Sequence, residues 1–208
     1  MIEENVAKDP NKLTKRQEQA MITHRRIYET ASQLIAEKGF DNVTVDEICK
    51  AAGVAKGGFY HHFPSKDDLV VETYRLIDGH FVNSMDSAPQ PLPAKEGILW
   101  VAEFMATTAM SRGHSFCRQI YRSQLEKGTD FFVSPERPFY KQIRTFITQS
   151  LENGEIASPL PPDELTAIIL LTARGVIYDW CLLRGSYNIV SFMQKTVGAI
   201  LDGIWKSC

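Results

Sequence analysis

Thr44-Val45-Asp46-Glu47-Ile48-Cys49-Lys50-Ala51-Ala52-Gly53-Val54-Ala55-Lys56-Gly57-Gly58-Phe59-Tyr60-His61-His62-Phe63-Pro64-Ser65-Lys66-Asp67-Asp68-Leu69 is the stretch whose reading decides the fold. It opens on a capping box. The Thr44 hydroxyl can accept from the backbone N–H of Glu47, and the Glu47 carboxylate can reach back to the N–H of Thr44. Val43 and Ile48 stand where a hydrophobic staple closes around such a box. A short helix therefore starts at Val45 and stops before Gly53, whose freedom at positive φ permits a tight turn. A second short helix follows over 56–62. Pro64 ends it, and Ser65 caps the next helix with Asp68 as its partner. Two short helices joined by a glycine turn, with a longer helix before and after, make a helix-turn-helix arrangement.

The second short helix contains Gly57 and Gly58 side by side. Each glycine inside a helix costs about 1 kcal/mol relative to alanine, so stability does not favour the pair. Either another body approaches this backbone closely, as a phosphate or base edge approaches a DNA-reading helix, or the helix packs tightly against its predecessor. Both readings stay open on the sequence.

The neighbouring segments share the helical period. Upstream, Ala20, Ile27, Ala31, Leu34 and Ile35 recur at helical steps over 13–38, and Gly39 supplies the stop. Downstream, helices are expected over 66–86, 94–111, 114–127, 136–153, 163–184 and 188–206. Proline clusters at Pro89, Pro91 and Pro93, at 134–138 and at 158–162 separate several of them. The proline stretch near residue 90 reads as a rigid linker dividing a small N-terminal part from a larger one. Period-2 alternation of β-branched residues is absent, and no internal repeat is present. The expectation is an all-α protein of about nine helices.

Composition excludes several classes. The net charge of −2 does not mark the whole chain as a nucleic-acid binder, but the basic residues are unevenly spread. Lys8, Lys12, Lys15, Arg16, Arg25 and Arg26 share their stretch with only Asp9 and Glu18. Such an excess is either an electrostatic footprint or a solvated arm. The acidic start Met1-Ile2-Glu3-Glu4 is no signal peptide. The most apolar run, 167–183, is interrupted by Thr172, Arg174 and Asp179, so no membrane span is expected. A cytoplasmic protein is the default. Cys49, Cys117, Cys181 and Cys208 lie far apart without metal or disulfide spacing, and they read as buried thiols plus one C-terminal thiol. The adjacent His61 and His62 point about 100° apart on a helix and lack a ligand-spaced partner, so no metal site is expected. Neither a nucleophile–base pair nor a phosphate-binding glycine loop is found, so no enzyme and no cofactor is expected.

The run 44–69, with Ala31 to Phe40 before it, closely resembles the DNA-binding signature of TetR-family repressors. The match covers roughly residues 20–75, about a quarter of the chain. The resemblance implies a three-helix DNA-binding domain over 13–65, preceded by a flexible arm over 1–12. A helical effector-binding and dimerisation domain would follow over 66–208, entered through a connecting helix over 66–86. Carried over by position, Thr44 would contact a phosphate while capping its helix. Lys56, Gly57 and Gly58 would face the major groove, and Tyr60 and His61 would touch phosphate or thymine methyls. His62 would lie near the DNA backbone, and Lys66 would pair with a phosphate. Phe59 and Phe63 would belong to the core. Ala55 stands where many relatives carry Ser or Thr, so a cap and a phosphate contact are missing there. The helix offers few base-reading side chains, which leaves specificity to Lys56, Tyr60, DNA shape and the arm.

In the C-terminal part, 175–183 looks like the eighth helix of many TetR-type proteins. It is apolar almost all round, so it must be buried on every face. One face would pack into its own subunit and another against a second copy. Trp180 and Leu183, with Phe192, Val197, Ile200, Leu201 and Ile204 of the last helix, are the candidate homodimer interface. A two-fold dimer suits a palindromic operator in double-stranded DNA, with half-sites about 34–36 Å apart or a multiple of that. Phe104, Met105, Phe116, Ile120, Tyr121, Arg174 and Tyr178 are the candidate lining of a small-molecule effector pocket. Arg118, Arg122 and Asp179 are further polar anchors. The expected function is a DNA-binding repressor released from its operator by a small apolar ligand. The alternative is a DNA-binding dimer controlled by a partner protein or by thiol oxidation.

Overall fold

The structure, a computed structural model, describes residues 14–86, 92–127 and 133–206. The expected arm over 1–12, with Lys8 and Lys12, lies outside these residues, as do Pro89, Pro91 and Cys208. Among the described residues the chain is helical: α1 (Lys15–Lys38), α2 (Val45–Ala52), α3 (Lys56–His62), α4 (Asp68–Asp86), α5 (Ala94–Arg112), α6 (His114–Lys127), α7 (Pro138–Glu152), α8 (Pro162–Leu182) and α9 (Ile189–Ile204). A single 3₁₀ turn, Phe40–Asn42, joins α1 to α2. Ile156 and Trp205 form an isolated antiparallel bridge. The all-α expectation of about nine helices holds.

Local chemistry sets the boundaries. α1 begins at Lys15, slightly later than the periodicity suggests, because Thr14 caps it. The Gln17 N–H donates to Thr14 Oγ1 at 3.3 Å, and the Thr14 N–H donates to Gln17 Oε1 at 2.8 Å. Ala20 is exposed and Leu34 only half-buried, so the inward face of α1 is Ile27, Tyr28, Ala31 and Ile35. The regular part of α4 begins at Asp68 rather than at Lys66. Residues 66 and 67 form a turn, and the Ser65 hydroxyl donates to Asp68 Oδ2 at 2.6 Å.

The chain divides into two compact units, Met1–Leu69 and Val70–Cys208. The division falls at the start of α4. α4 is the element that runs from one into the other.

The first unit closes around Ile27, Ile48, Phe59 and Phe63, each at most 2% exposed. Burying side chains of this size contributes roughly 1.5–3 kcal/mol apiece. The second unit is a helical bundle in which α5 packs on α7 and α9, and α8 packs on α6, α7 and α9. Its core includes Ile98, Ile143, Ile147, Ile169, Met193, Val197 and Leu201. α5 approaches α7 closely at Gly97, where a Cβ would lie 2.5 Å from the Phe146 ring.

α8 corrects one expectation. Its 21 residues are long and apolar enough to cross a membrane, although the sequence run looks too interrupted. The packing gives a different account of its apolarity. Leu165, Ile169, Leu170, Ala173, Val176 and Trp180 are buried in the bundle, as befits a core helix.

Candidate nucleic-acid interface and ligand cavity

In the first unit, α2 and α3 are positioned by the capping box and the glycine turn. The Glu47 N–H donates to Thr44 Oγ1 at 3.2 Å, and the Thr44 N–H donates to Glu47 Oε2 at 2.9 Å. The Thr44 backbone bond, then the Lys38 ammonium at 3.0 Å, holds the Glu47 carboxyl down to about 2. Gly53 sits at φ 64, ψ 40, and the Val54 N–H returns to Cys49 O at 3.0 Å, closing α2 and turning the chain toward α3. Phe59 and Phe63 face inward, which turns Lys56, Gly57, Tyr60 and His61 outward. Tyr60 is 45% exposed, its ring edge-on to that of Phe59 at 5.5 Å.

The two readings of the glycine pair now separate. A Cβ on Gly57 meets nothing within 4 Å, and one on Gly58 meets only Val54 Cβ at 3.9 Å. Close packing between helices therefore does not account for the pair. Ala55 is the N-cap of α3 and makes no side-chain capping bond, in line with the missing hydroxyl.

Two lysines are engaged in ways the sequence does not reveal. The Lys56 ammonium lies 2.9 Å from Asp46 Oδ1, and both side chains are exposed. The hydrogen bond to Asp46 raises the Lys56 pKa above its ordinary value. The pair is open enough for a phosphate to compete with the carboxylate. Lys66 differs. Its ammonium donates to Phe40 O at 2.8 Å and Val43 O at 2.9 Å, and sits 4.3 Å from the centre of the Phe40 ring. The expected phosphate ligand is thus turned inward, clamping the turn before α2 to the turn before α4. His62 is half-buried rather than fully presented. Its ring lies edge-on to those of His24, at 5.8 Å, and His61, at 5.2 Å. Burial, then the charges of His24 and His61, lowers its pKa.

The second unit contains a partly open cavity of about 200 Å³. Tyr74 and Ile77 of α4, Met105, Thr108 and Arg112 of α5, and Phe116, Cys117, Ile120 and Tyr121 of α6 line it. Arg137, Phe139 and Tyr140 at the start of α7, with Leu170, Arg174 and Ile177 of α8, complete most of the wall. Of the sequence candidates, Met105, Phe116, Ile120, Tyr121 and Arg174 meet there. Phe104 does not; it packs with Phe81, Trp100 and Phe139. Tyr178 is 47% exposed and outside the lining, its ring edge-on to that of Tyr121 at 5.7 Å. Arg118 and Arg122 are exposed, Arg122 pairing with Glu126 at 2.9 Å, and Asp179 accepts from the Tyr187 hydroxyl at 3.2 Å. None of these three lines the cavity.

The residues missed by sequence reasoning are chiefly Tyr74, Arg112 and Arg137. The Arg137 guanidinium makes a two-point bridge to Asp78 of α4, at 2.7 and 3.1 Å, with both side chains under 15% exposed. Burial pushes the Tyr74 phenol well above its ordinary pKa, and the Arg137 guanidinium lies 5.3 Å from its ring. Burial also lowers the Arg174 pKa, and the charge of Arg137 pushes it the same way. The Cys117 thiol reaches Ala109 O at 3.6 Å. Its hydrogen bond with Cys181, then burial, raises its pKa, and the same bond lowers that of Cys181. No group of three His, Cys, Asp or Glu residues able to hold a metal occurs among the described residues.

The outer face of α8 carries Ile168, Leu171, Tyr178 and Leu182, 38–65% exposed, with Gly175 between them. Their steps of three and four make one stripe. Leu183 and Phe192 are also exposed, at 51% and 45%. The other candidate interface residues divide by burial. Trp180, Val197 and Leu201 are at most 5% exposed in their own bundle, and Ile200 and Ile204 are half-buried. The helix is apolar all round, as its sequence suggests, but Trp180 lies on the inner face and its indole N–H donates to Tyr187 O at 3.1 Å.

Comparison with known proteins gives this geometry a context. The model for bacterial regulatory proteins of the tetR family matches residues 27–73, which span the glycine turn and both short helices. The HTH-type transcriptional regulator AcrR of Shigella flexneri is 35% identical over 200 residues, covering 90% of this chain and 92% of its own. The HTH-type transcriptional repressor KstR2 of Mycobacterium tuberculosis (strain ATCC 25618 / H37Rv) is 31% identical over 193 residues, covering 86% and 92%. The crystal structure of the regulator FadR from Bacillus subtilis, in complex with stearoyl-CoA, shares the fold at a TM-score of 0.64 and 20% identity, covering 87% of this chain and 99% of that one. With two relatives above 30% identity aligned along nearly their whole length, the chain belongs to the tetR family of bacterial regulatory proteins, transcriptional regulators rather than enzymes.

Proposed function

We propose that this regulator is a repressor that binds a palindromic operator as a homodimer and is released by a small, largely apolar ligand held in the cavity of its second unit. One observation carries the reading. The helix that lines the cavity with Tyr74 and Ile77 is α4, the same helix that emerges from the helix-turn-helix unit. A ligand that favours one placement of α4 over another shifts the population of DNA-competent dimers by its difference in affinity for the two.

Lys56, Gly57, Tyr60 and His61 would meet the DNA, with the capped start of α2 at Thr44 beside a phosphate. The stripe Ile168, Leu171, Tyr178 and Leu182, with Leu183 and Phe192, would meet the second copy. The stearoyl-CoA held by the Bacillus subtilis relative and the lauroyl-CoA held by FadR from Thermus thermophilus support an effector with an acyl-like apolar body.

The test is a screen of amphipathic compounds by thermal shift, followed by fluorescence anisotropy on an operator selected from genomic fragments. A compound that raises Tm and weakens operator binding at least tenfold is the expected result. Stabilisation without any change in operator affinity would contradict the reading. The contact between Cys117 and Cys181 favours a second reading, control by thiol oxidation. It predicts that diamide weakens operator binding in the native protein but not in Cys181→Ser.

A further inference from the structure

Asp46, in the first turn of α2, and Lys56, the first residue of α3, are brought together across the glycine turn. The Lys56 ammonium sits against both carboxylate oxygens, 2.9 Å from Oδ1 and 3.2 Å from Oδ2. The Lys56 side chain is 56% exposed and that of Asp46 72%. An ion pair this open adds little to stability. Nor does the start of α2 need Asp46 for its cap, because Thr44 and Glu47 close the capping box between them. Lys56 and Tyr60, four residues apart, share an exposed face of α3. A carboxylate in this place works against DNA binding in general. It offsets the charge of Lys56, and its own charge repels the phosphate backbone.

We infer that Asp46 is a specificity-determining residue, which keeps the Lys56 ammonium for the edge of a G·C base pair and opposes its use on a phosphate. The inference rests on the DNA reading proposed above and adds a residue of α2 to the few base-reading side chains of α3. An ammonium has three donors. One can stay on Asp46 while the others reach the O6 and N7 acceptors of guanine, which are uncharged. The Asp46 carboxylate has lone pairs to spare and can accept from the N4 amino group of the paired cytosine. Lysine to guanine and aspartate to cytosine are both pairings that the major groove favours. A phosphate is a different partner. Lys56 can take it, but Asp46 then stands against a second anion, and like charges so placed repel. The pair therefore weakens binding to DNA at large more than binding to a site that presents G·C at this position. Specificity is the difference between the two.

The experiment uses the full chain, the operator selected from genomic fragments and a random duplex, with anisotropy measured between about 50 and 200 mM salt. The native protein should prefer the operator. Each half-site should contain a G·C pair whose exchange for A·T weakens native binding about tenfold. Asp46→Asn keeps the shape of the side chain and removes its charge. It should bind the random duplex several-fold tighter than native, with a salt slope steeper by about one phosphate contact. Its preference for the operator should fall about tenfold, and exchange of that G·C pair should matter little to it. Asp46→Glu, which keeps the charge, should bind the random duplex no tighter than native. Lys56→Ala should lose the same preference, and adding Asp46→Asn to it should lower the preference no further. Circular dichroism and Tm establish that each variant is folded. Asp46→Asn tightening both duplexes by one factor, with the preference unchanged, overturns the inference, since general charge repulsion would do the same. A further fall in preference when Asp46→Asn is added to Lys56→Ala overturns it too, because Asp46 would then act without Lys56. A native protein with no operator preference overturns the DNA reading and the inference with it. A preference that depends on Lys56 but not on Asp46 overturns the inference alone.

Discussion

Gly57 and Lys66, both expected at the DNA, differ in what the fold itself asks of them. Gly57 has open space where a side chain would stand, so the fold does not require it. Replacing it with alanine should leave stability unchanged or raise it by up to about 1 kcal/mol. Operator affinity should fall at least tenfold if the missing Cβ leaves room for DNA. Urea unfolding beside anisotropy separates the two effects, and a Gly57→Ala protein that binds operator normally would remove the argument. Lys66 is the reverse case. Lys66→Met should destabilise the protein by about 1–3 kcal/mol, because two carbonyls lose a charged donor. A normal urea midpoint with a shallower salt dependence of DNA binding would restore the phosphate role. The capping box at Thr44 is legible in sequence because its partners lie three residues apart. The Lys66 clamp is not, because its acceptors lie 26 and 23 residues away. Arg137 and Asp78, 59 residues apart, are illegible for the same reason.

At the scale of elements, α3 and α8 make separate predictions. His62 on α3 has its pKa lowered in the fold, chiefly by burial. The unfolded chain therefore binds more protons than the native one between the lowered value and about 6.5. Stability from this group is complete above about pH 6.5 and is lost as pH falls through the native value. Tm should thus decline on acidification from pH 7 to pH 5, and His62→Gln should reduce that decline. An unchanged pH profile in His62→Gln would remove the role. On α8, Leu171→Glu places a charge at the middle of the exposed stripe, on a side chain 65% exposed. Sedimentation should show a monomer with a nearly unchanged Tm for the subunit, and operator affinity should drop steeply. A dimeric Leu171→Glu protein would refute the assignment of this face. Helix existence and type are read well from period and caps throughout, since those signals are local. Which side of an all-round apolar helix faces its own bundle is a property of the packed state. That is why Trp180, Val197 and Leu201 read as interface and prove to be core.

The whole molecule joins a helix-turn-helix unit, whose α3 offers few base-reading side chains, to a helical unit with arginines among its cavity lining. The first is legible in sequence almost in full, because it is a string of local devices. The cavity is legible only in part, because five helices and the segment before α7 contribute to it. Its lining becomes visible when residues from these elements come together. The central claim is that this chain reads DNA through α3, and the most direct measurement is anisotropy of the purified protein on a selected operator and on random duplex, between about 50 and 200 mM salt. The account predicts preference for the operator by at least a factor of about 10³, steep weakening with salt on both duplexes, and loss of the preference in Lys56→Ala without loss of fold. Equal binding to both duplexes at every salt concentration, or unchanged operator affinity in Lys56→Ala, would contradict it.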